Sequence, residues 1–270
     1  MMKQYNFKNF NLTVFFSAED SFSVTSTLVE KNGHAFLFNG KFIQSDGREI
    51  ANYIKEQNLT LDAIFAMHGD PDFYFGIEAI KKEFPETVVY ATQSTIEHIA
   101  ATVVGKVTVF GDILGSEAPV NVVLPALYSK DSINFQGETF QIIGDSERIN
   151  LYHAEEKILI GGIDVFNEMH LFLADTSKKE ELKAWIDRLE DLKGWDYALV
   201  IPSHADYQGS FDKSVIDKSQ AYLELAIAAQ ASSQNATEFE ATILAKYETY
   251  INRNILDLSS KVLTGEMSWG

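Results

Sequence analysis

Met67-His68-Gly69-Asp70-Pro71-Asp72-Phe73-Tyr74-Phe75-Gly76 sets an imidazole and two carboxylates within five residues, directly behind an apolar run. The run from Leu61 to Met67 reads as a buried strand, and Phe73 to Phe84 as an amphipathic helix with Ile77, Ile80 and Phe84 on one face. The cluster therefore falls where a strand hands over to a helix, the place at which open α/β sheets collect ligand-binding side chains. Two readings compete. Asp70 as N-cap, Pro71 at the first helical position and Asp72 beside the positive end of the helix dipole would account for both acids. Capping does not account for His68, which its two-residue spacing puts on the same side of an extended segment as Asp70. A metal site accounts for all three.

A chain of 270 residues is long enough for one large core, or for a core with an appendage. Cysteine is absent, so disulfides, thiolate ligands and a cysteine nucleophile are excluded, and any metal must be held by His, Asp and Glu. The formal net charge of −17 is spread along the chain, and no stretch gathers Lys or Arg with aromatics. Phosphate binding depends on a basic surface, so nucleic acid is not an expected partner, and an anionic membrane is disfavoured for the same reason. No apolar run approaches the roughly 20 residues that cross a bilayer. Residues 1–11 lack the basic start and apolar middle of a secretory signal, which makes the cytoplasm the expected location.

Outward from the opening cluster, short strands are expected at Asn11 to Phe16, Phe22 to Glu30 and Ala35 to Asn39, with Asn32-Gly33 as a hairpin turn. A helix from about Asp46 to Glu56 precedes the Leu61 strand. Val88 to Ala91 is a further strand, and Ser94 caps a helix reaching about Val104. From Lys106 to Tyr128, Gly111, Gly115, Pro119 and Pro125 break the pattern, which reads as a long loop or lid. Strands return at Ser132 to Phe135, Thr139 to Gly144, Ile149 to His153 and Ile158 to Gly161. A helix over about Lys179 to Asp191 and a strand from Ala198 to Ile201 then lead into Pro202-Ser203-His204. Beyond Phe211 the chain is helical, from Val215 to Ala231 and from Thr237 to about Thr264, split near Asn252 to Leu258. Two successive halves, each running from strands into helices, suggest two sheets packed face to face with helices outside. Acids and imidazoles from both halves would then meet at one edge: His68, Asp70 and Asp72 from the first, Asp145, Asp164, His170 and His204 from the second.

From Asn11 to Gly209 the chain resembles the metallo-β-lactamase fold superfamily, whose signature is His-x-His-x-Asp-His after a strand. Here His68 and Asp72 keep the type, Asp70 stands at the second His and Phe73 at the third, an atypical His-x-Asp-Pro-Asp branch. Ile143-Gly144-Asp145 puts Asp145 at the next ligand place. In Gly161-Gly162-Ile163-Asp164, strict register puts Ile163 at the metal-bridging Asp and Asp164 one later. Val200-Ile201-Pro202-Ser203-His204 matches the last His motif. The resemblance implies an α/β (α+β) four-layer αββα sandwich over residues 1–211. Residues 212–270 form an added C-terminal helical segment, a cap or homodimer element.

It also implies one or two divalent metal ions, with His68, Asp70 and Asp145 on one and Asp72, Asp164 and His204 on the other, and a hydrolase acting on an ester, lactone or thioester-like small molecule. Replacing imidazoles with carboxylates hardens the cage, shifting preference from zinc toward iron or manganese. Asp72 is also a candidate catalytic residue. His170, with Ala174-Asp175-Thr176, is a second, through a narrower resemblance to an uncharacterised branch. Tyr74 and Phe73 are candidate substrate-binding residues, and the aromatics here, Phe75 included, read equally as core. Two alternatives stay open: a carboxylate-rich di-iron protein of flavodiiron-like type, and a degenerate binding protein without catalysis. His34, His98 and His153 are expected to be structural.

Overall fold

Apolar alternation drives the first half of the chain into one sheet in sequential order: β1 (Met2–Asn6), β2 (Asn11–Phe16), β3 (Thr25–Lys31), β4 (His34–Phe38), β5 (Thr60–Phe65), β6 (Val88–Ala91) and β7 (Ala126–Leu127). The strands up to β4 pair antiparallel, and those from β4 onward run parallel. Asn32 and Gly33 both take positive φ, 55° and 78°, the geometry that a tight hairpin between β3 and β4 requires. The second half supplies β8 (Ser132–Phe135), β9 (Glu138–Gly144), β10 (Ile149–His153) and β11 (Ile158–Ile160), with β12 (Phe166–Asn167), β13 (Leu199–Ile201) and β14 (His204–Ala205) following. Their main sheet has the order β13-β11-β10-β9-β8, and β12 pairs with β14 beside it. The computed structural model describes residues 1–269.

Three apolar cores define the layers. Val14, Val29, Phe38 and Phe65 from the first sheet meet Phe140, Leu151, Ile160 and Ile201 from the second, so the sheets pack face to face. On its outer side the first sheet buries Phe15, Leu28, Leu37 and Ile64 against α1 (Gln44–Glu56), α2 (Pro71–Tyr74), α3 (Ile77–Glu83) and α4 (Gln93–Leu114). Beyond the second sheet, Leu159 and Val200 join Trp185 of α5 (Lys179–Lys193) with residues of α6 (Ser214–Ser232), α7 (Ala236–Tyr247) and α8 (Arg253–Leu263). The result is the αββα sandwich, with the C-terminal helices sharing one core with α5.

Three local expectations change. The helix expected over Phe73–Phe84 is broken into α2 and α3, because the Gly76 amide donates to Lys41 O at 3.0 Å instead of continuing the helical ladder. α4 begins at a Thr92 cap, whose hydroxyl accepts the Thr95 amide, and runs on to Leu114 where a loop or lid was expected. Gly105 and Gly111 stand on its open side, where each costs about 1 kcal/mol of propensity without ending the helix. By length and composition the stretch Gln93–Glu117 would reach across a bilayer, which corrects the expectation that no such run exists. The third change is β1, formed by residues whose polar and aromatic mix gave no strand signal.

The glycines around the break hold the site loop close to α1. A Cβ on Gly76 would lie 2.3 Å from Gly40 O, and one on Gly47 would lie 2.1 Å from Gly76 O. Since both obstacles are backbone, the chain must shift to admit a methyl. Gly76→Ala is expected to destabilise the fold by about 2 kcal/mol in urea unfolding, whereas Gly105→Ala, facing open space on α4, gains up to about 1 kcal/mol. A neutral Gly76→Ala would contradict the close approach.

Candidate metal centre

β5 ends at Phe65, and the next residues are pinned before the cluster begins. Ala66 donates to Tyr90 O at 2.9 Å, and Met67 to the Asn39 side chain at 3.0 Å. Pro71 opens α2 as expected, but the Asp70 side chain makes no capping hydrogen bond. Its carboxylate is turned to other groups, which separates the two sequence readings: the backbone of Asp70 starts the helix while its side chain serves the cluster. Asp70 Oδ2 lies 3.2 Å from His68 Nδ1, and that same nitrogen faces the Asp70 amide at 3.3 Å.

α4 completes the group with a residue expected to be structural. One ligand atom each from His68, Asp70 and His98 lies within 4.8 Å of the others. His98 reaches in because Gly69 has no side chain: a Cβ there would come within 2.6 Å of the His98 ring. Lys106, two turns further along α4, donates to Asp70 Oδ1 at 2.9 Å, to Gly69 O at 3.0 Å and to His98 Nε2 at 3.0 Å. The available signal is modest: His98 and Lys106 are the two basic-type residues of α4. A cleft of about 310 Å³ opens onto the group, lined by His68, Gly69, His98, Ala101 and Glu147 among others.

β14 brings His204 to the same rim. Its Nδ1 lies 2.9 Å from Phe22 O, a partner that can only accept, so Nδ1 carries the proton and Nε2 presents a lone pair. That lone pair faces Asp72 Oδ2 at 3.2 Å. Phe73 is fully buried between the two imidazoles, its ring centre 5.4 Å from His68 and 5.7 Å from His204.

The electrostatics follow from burial. Desolvation opposes charge on Asp70, yet His68 and Lys106 outweigh it and hold the carboxyl well below the usual range. For Asp72, burial reinforced by the Asp70 charge outweighs the opposing pull of Lys106 and raises its pKa. Burial lowers His204 to about 4, and burial followed by the Lys106 charge lowers His98 to about 4. Asp72 thus tends to keep a proton that His204 Nε2 can accept.

The other sequence candidates stand elsewhere. Asp145 is half exposed, its Oδ1 accepting the amides of Glu147 and Arg148, with Arg188 3.6 Å away. Asp164 is buried and held by Arg188 at 3.0 Å and Arg148 at 3.5 Å; desolvation raises its pKa against both arginines. His170 lies in the outer helical core, its Nδ1 2.9 Å from Tyr222 OH. Tyr74 is fully buried in the core beneath the first sheet.

The donor set itself suits a divalent ion. Two imidazoles and one carboxylate form a borderline set of the kind that catalytic zinc and non-haem iron accept. The group also needs a positive charge, since a buried carboxylate without one is costly. Lys106 supplies that charge here.

No family model matches the chain. Among solved structures, it resembles a metallo-beta-lactamase from Pontibacter korlensis at 15% identity and a TM-score of 0.55, covering 83% of this chain and 99% of that one. The DIM-1 metallo-beta-lactamase follows at 17% identity and a TM-score of 0.58, with 83% and 97% covered. A metallo-beta-lactamase from Hirschia baltica is similar at 16% identity and a TM-score of 0.52, with 82% and 97% covered. At these identities the shared property is the fold, and the chain has the metallo-β-lactamase fold.

Outside the cluster, burial lowers His170 from 6.5 to about 4. Between those values the unfolded chain binds a proton at this position that the native one refuses, so its contribution to stability is lost as pH falls through that window. Buried carboxylates with raised pKa values pull the other way, which makes a difference measurement the proper test. The stability of the native protein relative to His170→Gln should fall by on the order of 2–3 kcal/mol from pH 7 to pH 4.5 in urea melts. A difference independent of pH would mean that His170 is not held neutral.

Proposed function

We propose that this chain, built on the metallo-β-lactamase fold, is a metal-dependent hydrolase of a small ester, lactone or thioester-like substrate, with one divalent ion on His68, Asp70 and His98. The observation that carries the proposal is the grouping of these three donors, reached from two different elements, with His68 and His98 lining the cleft. A bound ion would polarise the substrate carbonyl and lower the pKa of water toward neutrality. The protein's own residues account for the rest. Asp72 and His204 hold a proton between Oδ2 and Nε2, where it is available to a departing alkoxide or thiolate. Phe73 and Phe166 pack the two histidine rings in place, Phe166 stacking on His204 at 4.9 Å. In this proposal the enzyme is cytoplasmic and the C-terminal helices offer a dimer surface.

Asp145 and Asp164 are left out of the ligand set because they lie outside the grouping of His68, Asp70 and His98 and face Arg188 instead. A second reading, a binding protein without catalysis, draws support from Lys106, whose ammonium already satisfies Asp70. Metal analysis and thermal melts separate the two. Zinc, manganese or ferrous ion should bind at one per chain and raise the melting temperature, with about 2.7 kcal/mol of added stability at a hundredfold excess over Kd. His68→Ala and Asp70→Ala should each abolish that rise, and Asp72→Asn should lower kcat for aryl esters by about 100-fold with metal still bound. If none of these ions binds or stabilises the protein, the metal-dependent hydrolase reading fails.

A further inference from the structure

Resting on that reading of the site, we propose that Lys106 is its resident cation: the ammonium and a divalent ion compete for Asp70 and His98, so that filling the site releases the C-terminal half of α4. The contacts support exclusion. All three N–H groups of Lys106 are directed at this corner: toward Asp70 Oδ1, toward His98 Nε2, and toward the Gly69 carbonyl between their elements. Ammonium offers donors alone, so both side-chain partners act as acceptors, and an ion taking the same lone pairs leaves the lysine without them. Two positive charges at contact distance in a half-buried corner also repel strongly.

The helix is built to let go. Of its 22 residues only Thr95 and Ile99 are fully buried, both in the first two turns and close to the Thr92 cap. His98 belongs to this anchored part and stays against Gly69. Past it, Val104 and Ile113 are 78% and 72% exposed, and the helix ends at Gly115 in a positive-φ conformation. Val103, Val107, Phe110 and Leu114 pack this half partly against the outer core of the first sheet, Phe110 edge-on to Phe42 at 5.2 Å, and Glu117 just beyond it accepts the Ser45 amide, while Lys106 is its tie to the cluster. Lys106 therefore both sets metal affinity and fastens α4.

The test combines calorimetric titration of the full chain with MnCl2 and ZnCl2 and amide hydrogen exchange over residues 93–114. Lys106→Gln should bind metal about tenfold or more tightly, as expected for removal of a competing charged hydrogen-bond partner. Lys106→Arg should keep the weaker wild-type affinity. In the unmutated protein, metal should accelerate exchange beyond residue 103 and leave the first two turns protected. In Lys106→Gln that exchange should be fast already. Equal affinities with unchanged exchange, or weaker binding by Lys106→Gln, would overturn the competition while leaving a metal site intact. Absence of binding to both proteins would overturn the competition and the hydrolase reading together. Should Lys106→Gln fail to fold, exchange in the unmutated protein decides alone: faster exchange beyond residue 103 supports the proposal, and no change refutes it.

Discussion

A carboxylate largely withdrawn from water at the rim of two apposed sheets is costly to keep ionised without a cation, and the organisation around Asp70 answers that requirement. Its charge is set against His68 on its own strand extension and against Lys106 from α4. Burial alone would favour its neutral form, as it does for Asp72 two residues further on. The two acids thus take opposite protonation preferences within one loop, because one has a cation and the other has its neighbour's negative charge.

Much of the fold was legible because its elements carry strong local signals. The Asn32-Gly33 hairpin, the Pro71 helix start and the apolar strands β5, β10 and β13 lie where the sequence expects them. What escaped were features decided by contacts distant in sequence. The break between α2 and α3 depends on Lys41 O, and the course of α4 beyond Gly105 on the tolerance of glycine in a solvent-facing helix. At the site, the motif identified His68, Asp70, Asp72 and His204 as neighbours of one rim. It gave no hint of His98, whose approach rests on the missing side chain of Gly69. Asp145 and Asp164 matched by motif, yet Arg148 and Arg188, residues with no place in that motif, hold them.

The residues at this rim that the sequence resemblance does not account for form a coherent set. Phe73 sets an aromatic ring in the space between His68 and His204. Arg188 and Arg148 supply positive charge beside Asp164. Lys106 does so beside Asp70. Protein cations thus stand next to carboxylates that the resemblance assigns to metal, and burial disfavours charge on the imidazoles of His98 and His204. Such a rim is electrically balanced before any ion arrives.

The order of strands has a consequence for the nascent chain. The first sheet is complete at Leu127, but the surface it presents to the second sheet is covered only after Ile201 has been made. At ribosomal speeds that interval is on the order of ten seconds. Phe38, Phe65 and their neighbours are open to water and to other chains throughout it, so a cell making this protein must shield a half-finished sandwich. The dispersed negative charge of the chain, −17 in all, offers one such defence by keeping unfinished copies apart.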